Sequence, residues 1–186
     1  MSYINKTLIF EEDKIYYTDE DMTFEVMMSW EDLIMKTSAD YVCENGGDIL
    51  EIGFGMGISA GYIQANNINS HTIVENHPQI IERLKIWAAD KPNVIIVEGS
   101  WYNIKESLST YDGIFYDTFG DDDWDKFRIE LSSLVITNAK VTWWNDKPEQ
   151  SNSYNIEGIS YEAINVNPPA NNYFNSSVYY LPKKEY

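Results

Sequence analysis

A strand-like run ending in three closely spaced glycines limits the folds open to this chain more than any other feature. Asp48–Ile52 reads as a buried strand that runs into Gly53-Phe54-Gly55-Met56-Gly57, and Ile58–Asn66 then has helical character. Glycines at 53, 55 and 57 let the backbone turn tightly and approach a ligand closely. The helix that follows aims its N-terminus at that ligand. Roughly 20 residues past the first glycine, Glu75 closes the next strand, where the acid of a Rossmann-type site accepts hydrogen bonds from ribose hydroxyls. A plain βα turn and a surface glutamate would use the same residues. The strand before the loop, the helix after it and the placed acid together favour a nucleotide site.

The alternation continues. His71–Glu75 reads as a strand and Pro78–Ala89 as a helix with proline at its first position. Asn93–Val97 is a strand, followed by a short helix around Asn103–Leu108. Asp112–Tyr116 is a strand, Asp123–Ile136 a helix on Trp124, Phe127, Leu131 and Leu134, and Lys140–Trp144 a strand. Near-continuous apolar strands alternating with helices define an α/β fold, a Rossmann-like, mostly parallel, doubly wound sheet. Two later β-like runs, Gly158–Val166 and Ser176–Leu181, suit a closing antiparallel hairpin. Before the sheet, Leu8–Phe10 and Lys14–Tyr17 suit a small hairpin across Glu11–Asp13. Residues 25–44 read as a helix ended by Gly46-Gly47, with Val26, Trp30, Leu33, Thr37 and Tyr41 toward the core and Met27, Glu31 and Met35 as a second stripe. The expected organisation is one domain: an arm (1–24), a cofactor-binding core (25–144), and a loop with the closing hairpin (145–186).

A chain of 186 residues, 44% hydrophobic and 15% aromatic, can fill a single core. Its net charge of −17 repels nucleic acid and anionic lipid and suits a cationic ligand, and it also serves as a solubilising surface. Cys43 is the one cysteine, so no internal disulfide forms. With no secretory pattern at the N-terminus and no long apolar stretch, a cytoplasmic protein is expected. No zinc spacing occurs, and Asp121-Asp122-Asp123 reads as a helix N-terminus rather than a metal site.

The dinucleotide fingerprint wants its third glycine at position 58, which is Ile58, and no phosphate-binding lysine follows the loop. Glycines spaced two and two, with Glu51 ahead of them, suit S-adenosylmethionine, which has no phosphate to cradle.

At this point the chain resembles the guanidinoacetate N-methyltransferases and the related fungal protein arginine δ-N-methyltransferases. The similar segments are Val26-Met27-Met28-Ser29-Trp30-Glu31, Glu51 through Gly57, Gly99-Ser100-Trp101, Tyr111 through Thr118, and Val166-Asn167-Pro168-Pro169. Lys91-Pro92-Asn93-Val94, with Glu98-Gly99, leans toward the fungal enzymes. The resemblance implies that Phe54, Gly55, Met56, Gly57, Ile58 and Ser59 wrap the methionine part of S-adenosylmethionine. It implies Glu75 on the ribose, Asn76 and His77 beside the adenosine, Ser100 and Trp101 flanking the adenine, and Met27 and Met35 lining the cofactor pocket. Glu31 and Asp117 would grip a guanidino group. Each has a plainer alternative: Asp117 a turn cap, Glu31 a solvated helix residue, Trp101 ordinary packing, the methionines gap-fillers. His71 is read as opening its strand without chemistry. Of Trp143 and Trp144, one ring is expected buried and the other at the pocket.

Two carboxylates suit that chemistry. A guanidinium beside a sulfonium sets two positive charges together, at a cost of about 4 kcal/mol at ~4 Å and an effective dielectric of about 20. A carboxylate matches the guanidinium fork and can accept the proton released as the new bond forms. The expected substrate is a small guanidino compound, guanidinoacetate-like or arginine-like. The alternatives are a basic protein methylated on arginine, a non-catalytic cofactor-binding protein, and a methyltransferase for another acceptor. After Trp144 the resemblance weakens. The Thr-Ser pair that binds the guanidinoacetate carboxylate in the family has no counterpart, and a shortened segment replaces a helix. A monomer or a homodimer is expected, the dimer covering the sheet face thinned by that loss.

Overall fold

The computed structural model describes residues 2–120, 123–147, 149–151 and 153–186. Asp121 and Asp122, from the acidic run singled out above, and Pro148 of the shortened segment lie outside them.

The central sheet has seven strands: β4 (Asp48–Ile52), β5 (Ser70–Glu75), β6 (Val94–Glu98), β7 (Tyr111–Tyr116), β8 (Val135–Trp143), β9 (Ser160–Asn165) and β10 (Val178–Glu185). Their order is β6-β5-β4-β7-β8-β10-β9. The first five are parallel, and β10 runs antiparallel to both β8 and β9. This is the expected doubly wound sheet closed by an antiparallel pair. Strand order reverses between β4 and β7, where a parallel sheet leaves a crevice for ligands.

Side chains alternate across a strand, so successive residues of β4 serve different layers. Ile49 joins Met35, Ala39 and Val42 of α1 (Asp32–Val42) and Ile63 of α2 (Ile58–Ala65). Leu50 and Ile52 join Trp101 of α4 (Trp101–Ile104) and Phe127, Leu131 and Leu134 of α5 (Trp124–Leu134). Ile80 and Leu84 of α3 (Pro78–Ala88) pack with Ile73 of β5. The shortened segment after β8 does cover this sheet: Tyr154 packs on Trp124 and Trp143, and Ile156 and Ile159 pack beside it.

The N-terminal expectation needs correction. Residues 25–28 do not start a helix but end β3 (Met22–Met28), which pairs with β2 (Lys14–Asp19), itself paired with β1 (Ile9–Phe10). Thr23, Phe24 and Val26 favour a pleated surface, and β2 offers the ladder hydrogen bonds. A short 3-10 turn, Ser29–Glu31, then leads into α1. The expected core face moves with this change. Leu33 is 49% exposed, while Ile34, Met35, Ser38, Ala39 and Val42 are buried. The arm is pinned to the core by Gln79, whose Oε1 accepts from Leu8 N at 2.8 Å and whose Nε2 donates to Leu8 O at 3.3 Å.

Gly53 sets the height of the crevice floor. Its φ is +96°, and a Cβ there would lie 1.9 Å from Asp117 O. Gly53 N donates to Val74 O and Asp117 N to Ile52 O, both at 2.9 Å, so the three strand ends are tied together. Gly53→Ala should therefore cost more than the roughly 1–2 kcal/mol of an ordinary left-handed residue, because the strand ends must also part. Urea unfolding should show this loss, and a variant as stable as wild type would contradict the tight crossing.

Candidate active site

The C-terminal strand ends open into a cleft of about 940 Å³ with its open mouth included. Strand order sets out its wall in sequence: Gly99 after β6, Glu75 and Asn76 at β5, Gly53 at β4, Asp117 after β7 and Trp144 after β8. Neighbouring strands lie about 4.8 Å apart, so these positions span an elongated site. Phe54, Gly55 and Ser59 form its floor, Trp101 borders it, and Met27 and Glu31 line it from the arm side. Trp143 is buried and Trp144 borders the cleft, as expected of that pair.

Glu75 is buried and held rigidly. Its Oε2 accepts from Phe54 N at 3.0 Å, and its Oε1 accepts from Asn76 N and His77 N, both at 2.8 Å. The carboxylate thus ties the glycine loop to the end of β5. The indole N–H of Trp101 is buried without a protein partner, so a donor is available at the cleft wall.

Glu31 is 4% exposed, at the turn between β3 and α1. Its Oε1 accepts from Met28 N at 2.8 Å and from the Tyr173 phenol at 2.6 Å. Burial, and then the charge of Asp117, push its carboxyl up to about 8. Asp117 keeps some surface toward the cleft it lines, yet protein packs densely around it. Burial, and then the charge of Glu51, push it up to about 7. Two acids in one cleft thus hold protons unusually well, as expected where no cation compensates them.

Other candidates stand behind the wall. Met35 is fully buried in the core beside α2. Glu51 is fully buried under the glycine loop, where Ser59 Oγ donates to its Oε1 and His71 Nε2 lies 3.0 Å from its Oε2. His71 is thus a buried partner of Glu51 and not simply a strand-opening residue. His77 caps α3, with Nε2 3.1 Å from Lys6 O and its ring 4.9 Å from that of Tyr3. Met56, Gly57 and Ile58 form the turn into α2, and Ser100 caps α4.

Sequence reasoning missed Glu25, Tyr3, Phe119 and Tyr173, all of which line the cleft. Tyr173 lies in the loop between β9 and β10, held by Asn171 Oδ1, which accepts from Tyr173 N at 3.0 Å and Phe174 N at 2.7 Å. The neighbouring Asn172 donates to Thr23 O, 2.5 Å away, and so ties that loop to β3. The tail motif Val166–Pro169 lies in the same loop but gave no sign of Tyr173 itself.

A glycine loop at the first strand, an acid at the second and a sheet with a reversed final strand form the architecture of S-adenosylmethionine-dependent methyltransferases. Solved structures agree on the fold. Spermidine synthase from Thermotoga maritima superposes with a TM-score of 0.65 at 11% identity, over 96% of this chain and 72% of that one. An Escherichia coli protein described as a methyltransferase gives 0.64 at 12% identity, over 89% and 93%.

The guanidinoacetate N-methyltransferase family model matches residues 10–141, and the chain belongs to that family. Among curated relatives, protein arginine N-methyltransferase 2 of Emericella nidulans is 37% identical over 72% of this chain and 32% of its own length. The Candida glabrata protein of that name is 39% identical over 73% and 34%, and that of Kluyveromyces lactis 31% over 90% and 50%. The chain thus spans about a third of the first of these relatives.

Between the ordinary carboxylate range and about pH 7 to 8, an unfolded chain releases protons that folded Glu31 and Asp117 retain. Stability of the ligand-free protein therefore falls as pH rises through that window, and levels off above it for these groups. Thermal melts from pH 5 to 8.5 should show a smaller fall for Glu31→Gln than for wild type. Identical slopes would contradict the raised value of Glu31.

Proposed function

We propose that this chain is an S-adenosylmethionine-dependent N-methyltransferase acting on the guanidino group of a small molecule. One observation carries the reading: Glu31 and Asp117 line the same cleft as the glycine loop and Glu75. The described lining contains no lysine or arginine, which suits a cofactor without phosphates. We take residues 1–186 as one unit, since Leu8 and Ile15 of the arm share a buried cluster with Phe54 and Ile73.

When bound, S-adenosylmethionine supplies an electrophilic methyl on a sulfonium. Gly53, Phe54, Gly55 and Ser59 would seat its methionine part, Glu75 and Asn76 the ribose and Trp101 the adenine, with Met27 beneath. Glu31 and Asp117 would pair with the guanidinium and fix its plane. Their raised values make them proton holders in the empty cleft and carboxylates once cationic ligands arrive. Asp117 would accept the proton that the attacking nitrogen loses as its bond to the methyl carbon forms, while the bonding pair of the C–S bond stays with sulfur. Glu31, steadied by Met28 N–H and Tyr173, would orient the acceptor. Much of the rate would come from this alignment.

A second reading, methylation of arginine in a basic protein, is favoured by the names of the fungal relatives and by the net charge of −17. The lone, buried Cys43 suits a reducing, cytoplasmic setting.

Labelled S-adenosylmethionine should pass its methyl to small guanidines in a panel that also holds basic proteins. Asp117→Asn should lower that turnover by at least about 100-fold, the scale of one general base, while cofactor binding by calorimetry survives. Near wild-type turnover would remove Asp117 from the mechanism. Label on protein alone would select the second reading, and binding without transfer to any acceptor would leave a non-catalytic binder.

A further inference from the structure

The cleft wall is unusual in its charge. Its described lining holds four carboxylates, Glu25, Glu31, Glu75 and Asp117, and no lysine, arginine or histidine. Glu75 accepts three backbone N–H groups and is assigned to the ribose, and Glu31 and Asp117 are assigned to the guanidinium. Glu25 has no such task, and its Oε2 is buried without a hydrogen-bond partner.

The local backbone accounts for its presence there. In the β2–β3 pairing Tyr16 faces Glu25 and Ile15 faces Met27, so Val26 is the extra residue of a β-bulge. A bulge breaks the in-out alternation of a strand and re-aims its side chains. Glu25, Val26 and Met27 therefore all border the cleft, where a regular strand would turn one of them away. Two anchors fix the path of β3. Met27 Sδ lies 3.2 Å from Met56 N in the glycine loop, and Thr23 O accepts from Asn172, the neighbour of Tyr173. Glu25 lies between them on the strand, between the cofactor loop and the loop that reaches Glu31.

We propose that Glu25 is a specificity-determining residue that receives a second positive charge on the acceptor, so that the substrates are guanidines bearing an amine or ammonium group and not a carboxylate. The inference rests on the guanidino reading above and names its substrate class. An acceptor carboxylate would enter a wall of like charge with no cation to meet it, and like-charge juxtaposition is a strong discriminator. An ammonium would satisfy the unpartnered Oε2 of Glu25.

The test compares agmatine, which carries a second cation, with guanidinoacetate, which carries an anion, as methyl acceptors for wild type, Glu25→Gln and Glu25→Lys. Wild type should favour agmatine by at least tenfold in kcat/KM. Glu25→Gln should reduce that ratio at least fivefold, and Glu25→Lys should reverse it. Equal or better use of guanidinoacetate by wild type overturns the proposal while leaving guanidino methylation standing, and it does so whether or not the variants fold. An unchanged ratio in Glu25→Gln with weakened S-adenosylhomocysteine binding also overturns it, by assigning Glu25 to the cofactor. If no guanidine is methylated, the reading of the reaction fails. Calorimetry on S-adenosylhomocysteine-saturated protein then decides: agmatine binding that Glu25→Gln weakens supports the acceptor pocket, and no preference between the two compounds refutes it.

Discussion

Carboxyl groups gathered in a cleft without counter-ions are the constraint around which this molecule is built. Removing a carboxylate from water is costly unless hydrogen bonds or opposite charge replace the lost hydration. Here the replacements are individually visible. Glu75 takes three backbone N–H groups, Glu31 a backbone N–H and a phenol, and Glu51 a serine hydroxyl. What they leave over appears as the raised values of Glu31 and Asp117. Hydrophobic burial elsewhere must carry that load, and aromatic clusters such as Trp101, Tyr116 and Phe127 supply it on the α5 side of the sheet. A cationic ligand would relieve that cost.

The same constraint explains why elements remote in sequence meet at one place. The parallel sheet alone supplies Gly53, Glu75 and Asp117 from three adjacent strand ends. Glu31 comes from the turn before α1, Glu25 from a bulged strand of the arm, and Tyr173 from the closing pair at the other end of the chain. Asn172 joins the last two by its hydrogen bond to Thr23. The arm and the C-terminal loop thus form a rim over a floor made by the sheet. A βα floor recurs in many proteins, so discrimination between acceptors belongs to the rim.

Legibility in the sequence follows this division. Asp48–Ile52 and Glu75 at the end of the next strand stand where they were read, because fully buried parallel strands are apolar runs with sharp polar ends. The glycine loop was legible for a steric reason that Gly53 makes plain: no other residue permits the approach of the Asp117 backbone. The rim was not legible. Met22–Met28 contains apolar residues at spacings that a helix also satisfies, and the bulge at Val26 destroys the period-two signal that would have identified a strand. Reading residues 25–44 as one helix also placed Leu33 toward the core, where it is 49% exposed. Glu31 was still found, through the Trp30-Glu31 segment of the resemblance. Tyr173 had no route to discovery, since a loop residue that folds back on a partner far along the chain leaves no periodic trace.

The charge of the chain works at two ranges, and they point the same way. At long range, a net charge of −17 raises the local concentration of any cation and lowers that of any anion, an effect that salt screens within about 8–10 Å. Inside the cleft, screening is weak, and the wall without a basic residue among its described members acts on whatever enters. A cationic acceptor is favoured at both stages and an anionic one at neither. On the proposed reading the cofactor would also bring a sulfonium, so two like charges would share the cleft during transfer, and carboxylates on the protein would make that arrangement favourable. On that reading, the acids that burden the empty fold are the ones the reaction would use.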